Sequence, residues 1–342
     1  MLKHFSGSIA FTVASLAAAA AYGWFVQGGM APMLQILWIC IVLSVLEVSL
    51  SFDNAVVNAT VLKDMDPVWQ RRFLTWGIII AVFGMRIVFP VLIVAIAGQL
   101  GPVEAVQLSL NDPERYAAIV TDAHESIMGF GGAFLMLVGM KFFFNADKKH
   151  DWIGVIERPL RRLADLEAAE IMIVLAALYA VAQQLPPEKS GEFFFSGMFG
   201  IFTFFAVAWI SSSLKAPAGT VDSAARAGLG AFLYLEVLDA SFSFDGVIGA
   251  FALTNNLIVI ALGLGIGAMF VRSMTIALVR EGTLGRFRFL EHGAFWAILA
   301  LAVVMFANVI VHIPETVTGL IGAGLIGLSL VSSVRFNRAN GT

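Results

Sequence analysis

Residues 46–59 read LEVSLSFDNAVVNA, an apolar stretch with Glu47 and Asp53 set among aliphatic and aromatic residues. The surrounding segment, residues 34–61, is long enough to cross a bilayer, which takes about 20 mainly apolar residues. At helical spacing Ser44, Glu47, Ser51, Asn54 and Asn58 fall on one stripe, and Asp53 lies about 100° from Asn54. Such a stripe must face protein or water, because lipid offers its polar groups no partners. The phrase returns at residues 238–250 as LDASFSFDGVIGA, with Glu236, Asp239, Ser243 and Gly246 on the matching stripe and Asp245 beside it.

Composition places these segments in a membrane. Of the 342 residues 59% are hydrophobic and 13% charged, with a mean hydropathy of +0.87, whereas soluble domains are about a quarter charged. The class is therefore an all-α polytopic membrane protein. A net charge of −3 gives no sign of a nucleic-acid partner. Cys40 is the single cysteine, so neither a disulfide within the chain nor a cysteine metal site can form. No nucleophile–histidine constellation, no phosphate loop after a strand and no GxGD-like phrase accompanies the acids, and no enzyme is expected.

About ten spans are predicted: residues 8–26, 34–61, 73–98, 126–144, 169–185, 193–214, 229–253, 257–279, 292–311 and 316–334. The first, with Lys3 and His4 ahead of an alanine-rich core, also has the form of a signal peptide. With both termini cytoplasmic, 17 of the 21 Lys and Arg fall in cytoplasmic segments. Arg115 and Lys189 fall outside, and Arg86 and Arg272 lie inside spans. That asymmetry is what the positive-inside rule requires of a cytoplasmic (inner) membrane protein. Two long segments read as solvated connectors. Residues 99–125 face outward and are acidic enough to attract cations. Residues 145–168 face inward, are basic, and are the candidate docking surface for a cytoplasmic partner.

Sliding the chain by 192 positions sets Glu47 on Asp239, Ser49 on Ser241, Ser51 on Ser243, Phe52 on Phe244, Asp53 on Asp245 and Asn54 on Gly246. After a shift of six residues Arg86 falls on Arg272, and GGAFLMLV (131–138) resembles HGAFWAIL (292–299). Spans 2–4 thus repeat as spans 7–9. Five crossings separate spans 2 and 7, so the three-helix units are inverted, an arrangement typical of transporters with a midplane site. The chain divides into a first span (1–33), repeat 1 (34–144), the connector (145–168), spans five and six (169–228), repeat 2 (229–311), and a last span with its tail (312–342).

Glu47, Asp53, Glu236, Asp239 and Asp245 lie within spans beside only two bases, Arg86 and Arg272. Left ionised and alone, each acid costs about 2.5–3.5 kcal/mol at the bilayer centre. The deficit of three negative charges is one that a divalent cation or protons could largely cancel. The donors available are carboxylate, amide and hydroxyl oxygens, which suit Mn²⁺, Ca²⁺ or Mg²⁺ and disfavour zinc and copper. A straight helix would point Glu47 and Asp53 about 120° apart. Either two faces are used or the helix is loosened between them. The arginines either lock helices together or hold a substrate, and Asn58 is a candidate helix bridge. His124 with Asp122 and Glu125, and His312 with Glu315, read as solvated loop residues. The glycine-rich runs ALGLGIGAMF (261–270) and GLIGAGLIGL (319–328) read as close helix packing.

EVSLSFDNAVV and DASFSFDGVIGA resemble the paired acidic motifs of the TerC family, named for tellurium resistance, within a lysine-exporter-like transporter superfamily. The resemblance covers about residues 34–334 and is closest to the long branch with extra spans and a hydrophilic connector. It implies export of a divalent metal, most often manganese, with Glu47, Asp53, Asn54, Asp239 and Asp245 as ligands and Ser51, Ser243 and Asn58 in support. Gly246 departs from the amide that symmetry with Asn54 asks for, and Glu236 is placed to compensate. The expectation is an alternating-access exporter with no permanently bound cofactor. The competing readings are a non-transporting scaffold of a stress complex and an exporter of a small organic solute.

Overall fold

Backbone amides in hydrocarbon must find partners within their own segment, which leaves helices and closed barrels as spanning structures. Among the described residues of the computed structural model every regular element is a helix. It describes residues 2–146, 148, 150–163, 166, 168–213 and 221–340. The expectations for Lys149 and Lys215, and for the side chains of Lys3, Arg226, Asp245 and Glu315, lie outside what is described.

The helices are α1 (Leu2–Ala21), α2 (Met30–Leu50), α3 (Phe52–Leu62), α4 (Pro67–Ile79), α5 (Phe89–Ala97), α6 (Pro102–Asn111), α7 (Pro113–Asp122), α8 (His124–Phe143), α9 (Gly154–Arg162), α10 (Ala169–Ala182), α11 (Pro187–Ser213), α12 (Val221–Phe251), α13 (Leu257–Arg280), α14 (Thr283–Arg286), α15 (Leu290–Asn308) and α16 (Glu315–Asn340). Wider π-helical turns follow α1 at Tyr22–Val26 and join α4 to α5 at Ile80–Val88. The second has a local cause. Pro90 cannot donate to the carbonyl four residues back, and a widened turn before it accommodates the ring.

Among the described residues eight helices are long and apolar enough to cross a membrane: Phe5–Val26, Met30–Leu50, Pro67–Ala97, His124–Phe143, Pro187–Ser213, Leu257–Arg280, Leu290–Asn308 and Thr316–Asn340. Helices also stand at the other two predicted places. α12 has 31 residues and carries Glu236, Asp239 and Asp245. α10 has only 14 residues, about 21 Å of helix against a core of about 30 Å, shorter than the span predicted over 169–185. The acidic segment 99–125 is not a plain connector. It folds as α6 and α7, each begun by proline, with Glu104 accepting from the Gly101 N–H and Asp112 from the Arg115 N–H.

Helix ends gather on two opposite faces as the predicted alternation requires. On one face Lys63 at the end of α3 pairs with Glu291 at the start of α15, and Asn337 near the end of α16 donates to the Arg286 carbonyl. On the other Lys189 at the start of α11 pairs with Glu125 at the start of α8, and Asn256 before α13 donates to Tyr22. Between the faces α13 packs along α2, and α8 along α11 and α15. Gly263 and Gly267 make the first contact possible. A β-carbon at Gly263 would stand 2.8 Å from Leu43 Cβ, and one at Gly267 would run into the Glu47 side chain. Small residues four apart on one face bring two membrane helices together in this way.

Candidate cation site

Span 2 does not continue straight through its motif. α2 ends at Leu50, α3 starts at Phe52, and Ser51 between them has φ −102° and ψ 19°. Of the two alternatives open in the sequence, the loosened helix is the one found. The matching Ser243 lies inside the unbroken α12, so the two copies of the motif differ in backbone.

A cavity of about 30 Å³ sits at this break. That is room for a water or an ion. Glu47, Ser51, Asp53 and Asn54 line it from the first motif, Phe242 and Gly246 from α12, and Ala297 and Leu301 from α15. Thr318 and Gly322 of α16 complete it, and neither was among the expected site residues. The run GLIGAGLIGL held the signal for them. Part of it does serve packing, since a β-carbon on Gly319 would collide with Leu50, but Gly322 faces Asp53.

Among the described residues each acid of the first motif keeps one oxygen without a donor. Glu47 Oε1 accepts from Arg86 Nη2 and, at 3.4 Å, from Ser51 Oγ. Among the described residues no donor reaches its Oε2, which looks toward Gly246. Asp53 Oδ1 accepts from the Asn54 N–H at 2.9 Å, while Oδ2 looks toward Gly322. Asn54, 6% exposed, has no partner for its Oδ1. Among the described residues, one oxygen each of Glu47 and Asp53 thus meets the cavity without a protein donor, and the Asn54 amide oxygen is buried beside them, also without one.

The second motif is arranged differently. Asp239 Oδ1 accepts from both Asn54 Nδ2 and Asn58 Nδ2 at 3.0 Å, and its Oδ2 faces Arg272 Nη2 at 3.3 Å. Glu236 Oε1 lies 3.5 Å from the same guanidinium. Asp239 and Glu236 are buried and are not among the cavity residues. The structure therefore does not bring Asp239 to the acids it was expected to join. Asn58 serves as the helix bridge that its sequence position suggested. Among the described residues no three His, Cys, Asp or Glu side chains converge as a metal group, Ser243 is not among the cavity residues, and the expected role of Asp245 falls on a side chain outside what is described.

Both arginines act as locks. Arg86 donates to the Ala81 carbonyl at 2.6 Å and pairs with Glu47, its own repeat's acid. Arg272 donates to the Phe73 carbonyl at 2.8 Å, lies over the Phe73 ring and pairs with Asp239, again its own repeat's acid. Each is 3% exposed, and neither lines the cavity.

The connector turns its charges inward as well. Glu157 is 0% exposed and accepts from Lys148 Nζ at 2.6 Å, the Trp152 and Ile153 N–H groups, and the indole of Trp296 on α15. Burial alone would raise its carboxyl, but the Lys148 ammonium and these N–H donors outweigh burial and hold it below the ordinary carboxylate range. Asp151 takes Lys148, Arg161 and Arg158, and Arg158 is the most exposed of the three bases.

A chain whose described residues form only helices, eight of them apolar and of bilayer length, with acids enclosed among them, is a polytopic membrane protein. More narrowly, it belongs to the DUF475 family, described as proteins of unknown function, whose profile matches residues 52–340. The matched region begins at α3 and leaves α1, α2 and Glu47 ahead of it. No match was found among curated proteins or among solved structures.

Proposed function

We propose that this protein is a secondary transporter that carries a hard divalent cation out of the cytoplasm by alternating access, in the inner membrane and with both termini cytoplasmic. Mn²⁺ is the first candidate for the ion. One observation carries this reading: at the Ser51 break, free oxygens of Glu47 and Asp53 border a cavity sized for an ion, with the unpartnered amide oxygen of Asn54 buried beside it. Oxygen-only donors favour a hard cation. Two carboxylates against one arginine leave a single negative charge there, which a divalent cation overcompensates and an incoming proton would balance. The inverted repeat, the basic residues of one set of loops and the resemblance to the TerC motifs support the transport class and the direction. Arg86 and Arg272 are engaged by acids of their own repeats, which speaks against a solute held by its carboxylate.

The test is binding followed by transport. Purified protein titrated with Mn²⁺ is expected to melt at a higher temperature, because a ligand that binds only the folded state stabilises it. Asp53→Asn should weaken that binding by about tenfold or more, as removal of a charged oxygen ligand does. In cells the same variant should accumulate Mn²⁺ and grow poorly in excess Mn²⁺. Protection equal to wild type by both Asp53→Asn and Glu47→Gln would end this reading.

A further inference from the structure

The pseudo-two-fold relation pairs Glu47 with Asp239, Asn54 with Gly246 and Asn58 with Ala250. The contacts obey it. Asn54 donates to Asp239, and Gly246, its counterpart, faces Glu47, the counterpart of Asp239. What differs is the side chain. Asp239 receives two amide groups from repeat 1, while repeat 2 offers a glycine and an alanine at the same places. A β-carbon on Gly246 would stand 3.0 Å from Glu47 Oε2 and, among the described residues, meet nothing else within 4 Å.

We infer that Gly246 is the residue that makes the repeat unequal: by withholding an amide it leaves Glu47 open as a cation ligand, while Asn54 and Asn58 seal Asp239 as a structural carboxylate. The inference rests on the cation reading above and adds to it. The ion has one seat, in the first motif, and not a pair of equivalent seats. Asn54 lines that seat with its amide oxygen buried and unpartnered, while the Nδ2 of the same amide seals the other acid. One asparagine therefore belongs to both halves, open on one side and closed on the other.

The experiment is a Mn²⁺ titration of wild type, Gly246→Ala and Gly246→Asn, read by thermal shift and by equilibrium binding in detergent. Asparagine at 246 is expected to donate to Glu47 as Asn54 does to Asp239. It should weaken Mn²⁺ binding by about tenfold or more, with a metal-free melting temperature no lower than wild type. Alanine crowds Oε2 without donating to it and should weaken binding by a few-fold. If the asparagine variant does not fold, the alanine variant and Gly246→Ser decide. Wild-type affinity in the folded variants overturns the role of Gly246 and leaves the cation reading standing. A wild-type protein that Mn²⁺, Ca²⁺ and Mg²⁺ all fail to stabilise overturns the cation reading and this inference with it.

Discussion

Glu47 and Asp239 are the same residue of a repeat with different surroundings, and the difference is one of hydrogen bonds. Asp239 is held by two amides and a guanidinium, all buried. Removing its charge leaves Arg272 without its best partner, and breaking a buried pair costs about 3–5 kcal/mol. Asp239→Asn is therefore expected to lower the melting temperature of the metal-free protein while leaving Mn²⁺ affinity within about three-fold of wild type. Glu47→Gln should do the reverse for affinity, because its free oxygen is at the cavity. Parallel melting and titration of the two variants checks the contrast, and equal loss of affinity in both would reject it. Both acids were legible in the sequence as charges too costly to be idle. Which of them is open was not legible, because that depends on residues 54 and 246, far away along the chain and opposite in space.

At the level of elements, the break at Ser51 and the contact of α2 with α13 set the geometry of the cavity. Helical spacing alone showed that a straight helix could not aim Glu47 and Asp53 at one point, but it left two ways out. Only packing selects between them. Glu47 is held from one side by Arg86 and from another by the close approach at Gly267. Gly267→Leu should force α2 and α13 apart, with a stability loss of about 1–3 kcal/mol or more from overpacking. It should also weaken Mn²⁺ binding, since the side chain displaced is that of Glu47. Melting in detergent reads the first effect and titration the second. The glycine-rich runs were read correctly as packing devices at Gly263, Gly267 and Gly319. Gly322 escaped that reading because a glycine beside a carboxylate looks, in sequence, like any other glycine in an apolar helix.

Across the whole molecule, the connector between the repeats is fastened to α15, the helix that supplies Ala297 and Leu301 to the cavity. Its anchor is Glu157, whose carboxyl sits below its ordinary value of 4.5 in the folded protein. The stabilisation it brings is complete above that ordinary value and is lost as pH falls through the lower folded value. Wild type should therefore lose stability on acidification in that range, and Glu157→Gln should be less stable at neutral pH and lack this acid-dependent part. A pH series of melting curves for the two proteins checks this. Identical curves would show that the anchor contributes nothing.

Some properties needed only the amino-acid sequence. Hydropathy determined the membrane class, since water and hydrocarbon sort residues without reference to their neighbours. The spacing of the motifs determined that acids and arginines recur in two copies, and the later contacts of Arg86 with Glu47 and of Arg272 with Asp239 follow that recurrence. Tertiary structure alone decided that α10 is only 14 residues long, that the outer segment is helical, that α16 reaches the cavity, and that one motif is open while its copy is sealed. The physical reason is common to all four. A carboxylate, a helix end or a glycine has its role assigned by what stands opposite it, and in this chain the opposing residue belongs to a different helix.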